Sequence, residues 1–378
     1  MSFQRPAPSP EAEALRSEVR AFVATELAAR TAAERAESWN GFDPGFSRKL
    51  GARGWIGMTM PSQYGGAART MLERYVVTEE LLAAGAPVAA HWIADRQSAA
   101  LILRYGSEAQ KLDILPRIAR GECFFCIGMS EPDSGSDLAS VRTRAVPTDG
   151  GYVVNGTKLW TSNAHRTHYM ILLCRTSADE QSRHAGLSQF LVDLRTPGIT
   201  INPVTTLSGE HHFNEVVLND VFLPQSALLG GEGDGWSQVT SELALERSGP
   251  ERFLSSLPLL VTLVRTLGRD ASDEAAAAVG RLAAHLAALR RLSLSIAGML
   301  NAGAEPSVQA ALVKDLGALH EQEIPEIARL LLAVEPARDS ADLPGALATT
   351  ILSAPSFSLR GGTREILRGI VARELGLR

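Results

Sequence analysis

The feature that most limits how this chain can fold is a change in hydrophobic period along its length. From Ser9 to about residue 122 the apolar residues keep helical spacing, as in Leu15, Val19, Phe22, Val23 and Leu27 on one face. Ser9 suits an N-cap, Pro10 the first helical position, and Glu11 and Glu13 the positive helix start. From about 123 to 232 the pattern shortens to strand-like runs: GYVVNGTKLW, HYMILLCRT, SQFLVDL, ITINPV and NEVVLNDVFL, with polar or Gly/Pro turns between them. Asn155-Gly156 within the first run predicts a hairpin turn. From Gly235 onward long Leu/Ala-rich helices return. The order helical, β, helical predicts an α+β multidomain chain with domains at 1–122, 123–232 and 233–378, because a doubly wound fold would need strands and helices to alternate. At 378 residues the chain is long enough for two or three packed units.

Charge and composition remove several classes of function. A net charge of −5 leaves no basic footprint for nucleic acid or a membrane surface, and no apolar run approaches the length of a membrane span. The opening MSFQRPAPSPEAEAL has no apolar core of a secretory signal, so the chain reads as cytoplasmic. Cys123 and Cys126 form a C-x-x-C, but inside an apolar, aromatic run that reads as plain strand.

Three stretches raise the question of a site. After Phe124-Phe125-Cys126-Ile127, the segment GMSEPDSGSDL sets small polar groups at a strand end, where free N–H groups and hydroxyls can meet a flat polar edge or a phosphate. A polar turn with an Asx-type cap reads equally well from those residues alone. LLGGEGDGW (228–236) is no clean G-x-G-x-x-G and reads as a strand-to-helix loop. His211-His212 resemble a metal pair, yet neighbours in a strand face opposite ways and no third ligand is near, so no metal is expected. Asp137 reads as a loop cap, and Arg290-Arg291 as a solvated helix face.

Several longer stretches together resemble the acyl-CoA dehydrogenase family: GWIGMTMPSQYGG, EELLAAGAP, YGSEAQKLDILPRIARGE, CIGMSEPDSGSDL, YVVNGTKLWTSNA, HFNEVVLNDVFLP and GGTREILRGIVARELG. The resemblance runs nearly the whole chain. It implies an N-terminal α-helical domain, a middle β-barrel-like domain and a C-terminal four-helix bundle, with FAD at their junction. Carried over by position, Ile127, Met129, Ser130, Trp160, Thr161, Ser162, Thr363 and Glu365 would bind the flavin, with Trp160 against the isoalloxazine and Ser162 in place of the usual Thr near N5. Ser136 would lie on the pantetheine side of the thioester. The implied reaction removes a proton α to the thioester carbonyl while the β-hydrogen leaves as hydride to flavin N5, giving a trans-2-enoyl-CoA. An electron-transfer flavoprotein would take the electrons.

The base needs separate argument. Many members place a Glu just before the C-terminal Gly-Thr, but here Gly361 holds that position. A subset takes its base from an E-R pair on the first long helix of the C-terminal domain, and Glu246-Arg247 stand at the matching place. Trp236, Val239, Leu243 and Glu246 share a helical stripe, so Glu246 is expected to be partly buried, a costly position for a carboxylate without a task or partner. Arg247 would orient it, and Gly361 would leave room for its side chain and offer a backbone N–H to the carbonyl oxygen. A structural ion pair with Arg247 or Arg252 is the plainer alternative, and Glu242 the backup base. Two family segments are missing: R-x-x-F-G, where VRTLGRDASDEAAAAVGRL stands, and G-G-x-G, where LPGALATTILSAPSFSLRGGT runs through. Either a homo-oligomer (dimer or tetramer) holds the adenine differently, or an α2β2 partner chain supplies those contacts. A same-fold flavin oxidase or monooxygenase and a non-catalytic partner subunit are the competing functions.

Overall fold

The structure is a computed structural model describing residues 2–4, 6, 8–177 and 182–377. Helices α1 (Pro10–Glu26), α2 (Ala32–Ala36), α3 (Pro44–Gly51), α4 (Met71–Ala83), α5 (Ala99–Tyr105) and α6 (Glu108–Ala119) come first. Strands β1 (Phe125–Gly128), β2 (Arg144–Thr148), β3 (Gly151–Ser162), β4 (Tyr169–Arg175), β5 (Leu187–Asp193), β6 (Ile199–Thr205), β7 (His211–Pro224) and β8 (Leu228–Leu229) follow. Helices α7 (Gly235–Ser248), α8 (Leu257–Leu267), α9 (Asp273–Asn301), α10 (Ser307–Leu331), α11 (Leu343–Phe357) and α12 (Arg364–Glu374) complete the chain. This is the expected order of helical, sheet and helical regions. Among the described residues no helix is long and apolar enough to cross a membrane.

Two compact units result: one from 1–43, 69–89 and 243–378, the other from 44–68 and 90–242, with the boundary falling inside α7. In the second unit the strands form one mixed sheet, ordered β6-β7-β3-β2-β4-β5-β8, with β1 parallel to β4. The uninterrupted apolar run of β4 explains its central place, since both its faces are covered. Met170, Leu172 and Cys174 join Tyr152, Val154, Phe190, Val192, Val216 and Leu218 in the main core, while Leu173 meets Val141, Leu187 and Val239 on the other side. Each such buried side chain contributes about 1.5–3 kcal/mol of transfer free energy. The thiols of Cys126 in β1, Cys174 in β4 and Cys123, which precedes β1 where strand was expected, are free and buried, and burial pushes each up to about 12.

The hairpin lies elsewhere than Asn155-Gly156 suggested. β3 runs straight through that dipeptide, and the turn is Asp149-Gly150 between β2 and β3, with Gly150 at φ 75°. Asn155 instead exchanges side-chain and backbone hydrogen bonds with Asp220, whose φ of 49° marks an irregularity in β7 opposite. A second Gly dipeptide six residues upstream already supplies the positive φ that a tight hairpin needs.

In the first unit Leu259, Leu263, Leu282, Ile324, Ala346 and Leu347 make a core from α8 to α11, against which Ala32 and Ala36 of α2 pack. On α4, Glu79 and Glu80 are buried, and Arg16, Arg20 and Arg290 close around them. Arg291 is exposed as a solvated helix face requires, whereas Arg290, still about two-fifths exposed, pairs with buried Glu79 at 2.6 Å. Its partner comes from a helix more than 200 positions away, which periodicity does not reveal.

Candidate active site

In the sheet unit the SEPDSGSD loop and the NGTKLWTSN strand are bound together by one buried ion pair. Lys158, with no exposed side-chain surface, donates to Glu131 at 2.8 Å and to the Met129 carbonyl at 3.1 Å. Glu131 also accepts from the backbone N–H groups of Arg142 and Thr143 and from the Thr143 hydroxyl. Burial pushes the Glu131 carboxyl up, but the Lys158 charge and these donors outweigh it and hold it below its ordinary value. Burial acts on Lys158 in the opposite sense and lowers it. The Leu159 N–H donates to the Ser130 carbonyl at 2.9 Å, so Met129 and Ser130 at the end of β1 lie directly against β3. Ile127, one residue inside β1, pairs with Ile171 of β4.

Beyond Lys158 the β3–β7 register slips, so that Leu159 and Trp160 stand opposite the single residue Glu215. This is a bulge, and it turns Trp160 outward: φ is 61° and the indole is 55% exposed, with Phe213 edge-on at 5.7 Å. The next residue, Thr161, is buried with an unpartnered hydroxyl, and Ser162 is half-buried. The Thr161 carbonyl accepts from Asn214 Nδ2 at 2.9 Å. That bond fixes the amide's orientation, so Asn214 Oδ1 receives N–H donors from His165 Nδ1 (3.0 Å) and His211 Nε2 (2.8 Å), whose rings stack at 3.8 Å. Sequence reading missed this cluster because it joins His165 to His211 and Asn214, which lie 46 and 49 residues further along the chain. The only signal was the Asn within HHFNEVV. Among the described residues no group of three or more His, Cys, Asp or Glu side chains is arranged to hold a metal. Ser136 lies exposed in the loop, clear of these contacts. Asp137 stands at the start of a short 3-10 turn but makes no side-chain cap there; its carboxylate pairs with Arg183. Glu242 is buried and accepts from Gln189 of β5 at 3.2 Å.

In the helical unit Glu246, Arg247 and Gly361 come together, with one rearrangement of the expected contacts. Arg252, not Arg247, binds the Glu246 carboxylate, with Nη2 to Oε1 at 2.9 Å, and its Nε donates to the Glu246 carbonyl at 2.7 Å. Arg247 is buried and donates from Nε to the Gly361 carbonyl at 2.9 Å; burial lowers it, while the Glu246 charge acts the other way. Gly361 has φ 72°, and a Cβ built there would stand 2.9 Å from the Arg252 guanidinium carbon. The space left by the missing side chain thus admits Arg252. Thr363 caps α12, its hydroxyl accepting from the Ile366 N–H, and Glu365 is exposed on the first turn, held low by its own backbone and the Thr363 hydroxyl. Around this cluster Arg360 pairs with Glu321 at 2.9 Å, and buried Lys314 donates to the Phe357 carbonyl at 2.7 Å. Burial, with Arg252 and Arg360 nearby, takes Lys314 down to about 7.

Family models match residues 9–122, 126–221 and 268–376, as the N-terminal, middle and C-terminal domains of acyl-CoA dehydrogenases. Glu246 and Arg252 fall between the second and third matches. Acyl-CoA dehydrogenase FadE34 of Mycobacterium tuberculosis is 32% identical over 331 residues, which is 86% of this chain and 45% of that protein. The chain spans 61–63% of the next three curated relatives it matches. The solved structure described as the Tcur3481-Tcur3483 steroid ACAD superposes with a TM-score of 0.87 at 28% identity, covering all of both chains. A structure of the ChsE4-ChsE5 complex from Mycobacterium tuberculosis gives 0.85 at 29% identity, covering 99% of this chain and 100% of that one. With three domain models matched in order along nearly its whole length, the chain belongs to the acyl-CoA dehydrogenase family.

Proposed function

We propose that this protein is an FAD-dependent acyl-CoA dehydrogenase in which Glu246 removes the α-proton and the product is a trans-2-enoyl-CoA. The observation that carries the reading is the Glu246 carboxylate, mostly buried on α7 within an ion cluster that includes Gly361, where a base is absent. The sheet unit fits a flat aromatic cofactor: a bulge presents the Trp160 indole, and the adjacent buried Thr161 hydroxyl still lacks a partner. Trp160, Thr161, Ser162, Ile127, Met129 and Ser130 are the residues of the sheet unit that would hold FAD, and Thr363 and Glu365 are the further residues proposed to bind it. FAD, when bound, supplies the two-electron acceptor that dehydrogenation requires.

The chain's own task is to make a weakly acidic C–H bond yield its proton. Glu246 accepts that proton, and the Gly361 N–H is the proposed donor to the thioester oxygen, where charge develops. Ser136 lies on the pantetheine side in this reading, and 1–122, 123–232 and 233–378 act as its three domains. An electron-transfer flavoprotein is the proposed acceptor and the cytoplasm the proposed location. The two solved structures described above are named as two-component assemblies, one of them acting on steroid, which supports an α2β2 partner and a bulky acyl group here over a homo-oligomer.

The test is the visible spectrum of the purified protein during anaerobic addition of butyryl-, isovaleryl-, octanoyl- and steroid side-chain CoA thioesters. A flavin band that bleaches with one of them supports the reading. Rapid peroxide formation when air is readmitted would instead mark an oxidase. A protein without a flavin band, alone or co-expressed with a second family chain, would leave only the non-catalytic role.

A further inference from the structure

Among the described residues Arg252 is the largest fully buried side chain, and it touches Glu246 twice. One guanidinium binds both the carbonyl and the carboxylate of the same residue, at 2.7 and 2.9 Å, which fixes the rotamer of a side chain that otherwise has three free torsions. The clamp is itself immobile. Arg252 ends a 3-10 turn begun by Pro250, its carbonyl lies against Gly317 of α10, and its guanidinium sits 5.5 Å from the Trp39 ring. Its third nitrogen, Nη1, is buried and has no partner, a costly arrangement that a plain structural pair would avoid. Glu246 also interacts electrostatically with Arg247 on its own helix and with Lys314 on α10.

From this geometry we infer that Arg252 is the positioning residue for Glu246, and that Gly361 is required because its bare Cα admits the Arg252 guanidinium. The inference rests on Glu246 being the base. In the step concerned, the α C–H bond of the thioester breaks, its proton bonds to a Glu246 carboxylate oxygen, and the electron pair stays on the substrate as the enolate. Arg252 holds the carboxylate in place and touches no reacting atom. A base displaced by as little as 1 Å loses about 100-fold in rate.

The test is deuterium uptake at the α-carbon of butyryl-, isovaleryl-, octanoyl- and steroid side-chain CoA thioesters in heavy water, using holoenzyme with its flavin already reduced, so that only proton transfer is read. Alongside it, thioester affinity and thermal unfolding are measured. Wild type is expected to exchange and Glu246→Gln to lose exchange. Arg252→Gln should exchange about 100-fold more slowly with thioester affinity unchanged, and Arg252→Lys should restore part of the rate. If Arg252→Gln does not fold, Gly361→Ala serves, because its methyl displaces the guanidinium without removing the charge; it should slow exchange in the same sense. Exchange at the wild-type rate in both Arg252→Gln and Gly361→Ala, with Glu246→Gln inactive, overturns the inference and leaves the base assignment standing. Exchange that persists in Glu246→Gln, or is missing from wild type, overturns the base assignment and the inference with it.

Discussion

Lys158 reaches Glu131 across 27 positions of sequence and lies against it at 2.8 Å with no exposed surface of its own. This contact is what holds the Ser/Gly/Asp loop after β1 to the strand that carries Trp160. A buried pair of this kind is strongly destabilising to break from one side, by about 3–5 kcal/mol. Lys158→Met should therefore lower denaturant stability by that amount and reduce flavin content, whereas Lys158→Met combined with Glu131→Leu should recover much of the stability. The sign with pH follows from Glu131. Its folded value lies below the ordinary 4.5, so its contribution is complete above that pH and is lost as the pH falls through the folded value. Unfolding midpoints of wild type and the double variant should diverge above pH 4.5 and converge in stronger acid.

Trp160 separates stability from cofactor binding. Its left-handed backbone costs about 1–2 kcal/mol for a non-glycine residue, and its indole is more than half exposed. Trp160→Gly should leave the flavin-free protein as stable as wild type or more so, while weakening flavin binding in a fluorescence titration. Loss of stability with unchanged flavin affinity would contradict a binding role.

Asn214 organises the far end of that strand through three hydrogen bonds, to Thr161 and from His165 and His211. Asn214→Ala strips a partner from buried groups and should cost about 1–3 kcal/mol. His165 is lowered from 6.5 chiefly by burial, then by His211 and Arg166, with the Asn214 bond acting oppositely. A depressed folded value means its contribution is complete above pH 6.5 and lost as the pH falls below it. Thermal midpoints of wild type should drop on acidification through this range more steeply than those of His165→Gln.

Lys314 gives an opposite pH region. Its folded value near 7 lies well below the ordinary 10.5, so wild-type stability rises between pH 7 and pH 10 as the unfolded chain alone keeps its proton. Lys314→Met should remove this slope, which parallel urea titrations at the two pH values would show.

The order of helix and sheet was legible because the apolar period changes plainly near residues 123 and 235, and local signals such as the Ser9 cap gave α1 its start. The hairpin was misplaced because two Gly dipeptides six residues apart both satisfy turn chemistry, and only the strand pairing shows which is used. In the site, Glu246 was singled out by its resemblance to the family's E-R pair and by its helical spacing from Trp236 and Val239. The sequence left Arg247 and Arg252 both open as its ion-pair partner, and the residue that reaches it is Arg252, which ends a 3-10 turn beyond the helix. The Trp160 bulge, the Asn214 cluster and the Arg290–Glu79 pair all depend on contacts distant in sequence, which no local pattern encodes.

The central claim is that Glu246 is the base. Its most direct test is the rate of flavin bleaching after rapid anaerobic mixing with whichever CoA thioester reduces wild type, compared among wild type, Glu246→Gln and Glu242→Gln. The account predicts a loss of at least about 100-fold in Glu246→Gln, the scale of general base catalysis, with flavin content unchanged and Glu242→Gln close to wild type. Bleaching of Glu246→Gln at the wild-type rate, or a matching loss confined to Glu242→Gln, would contradict it.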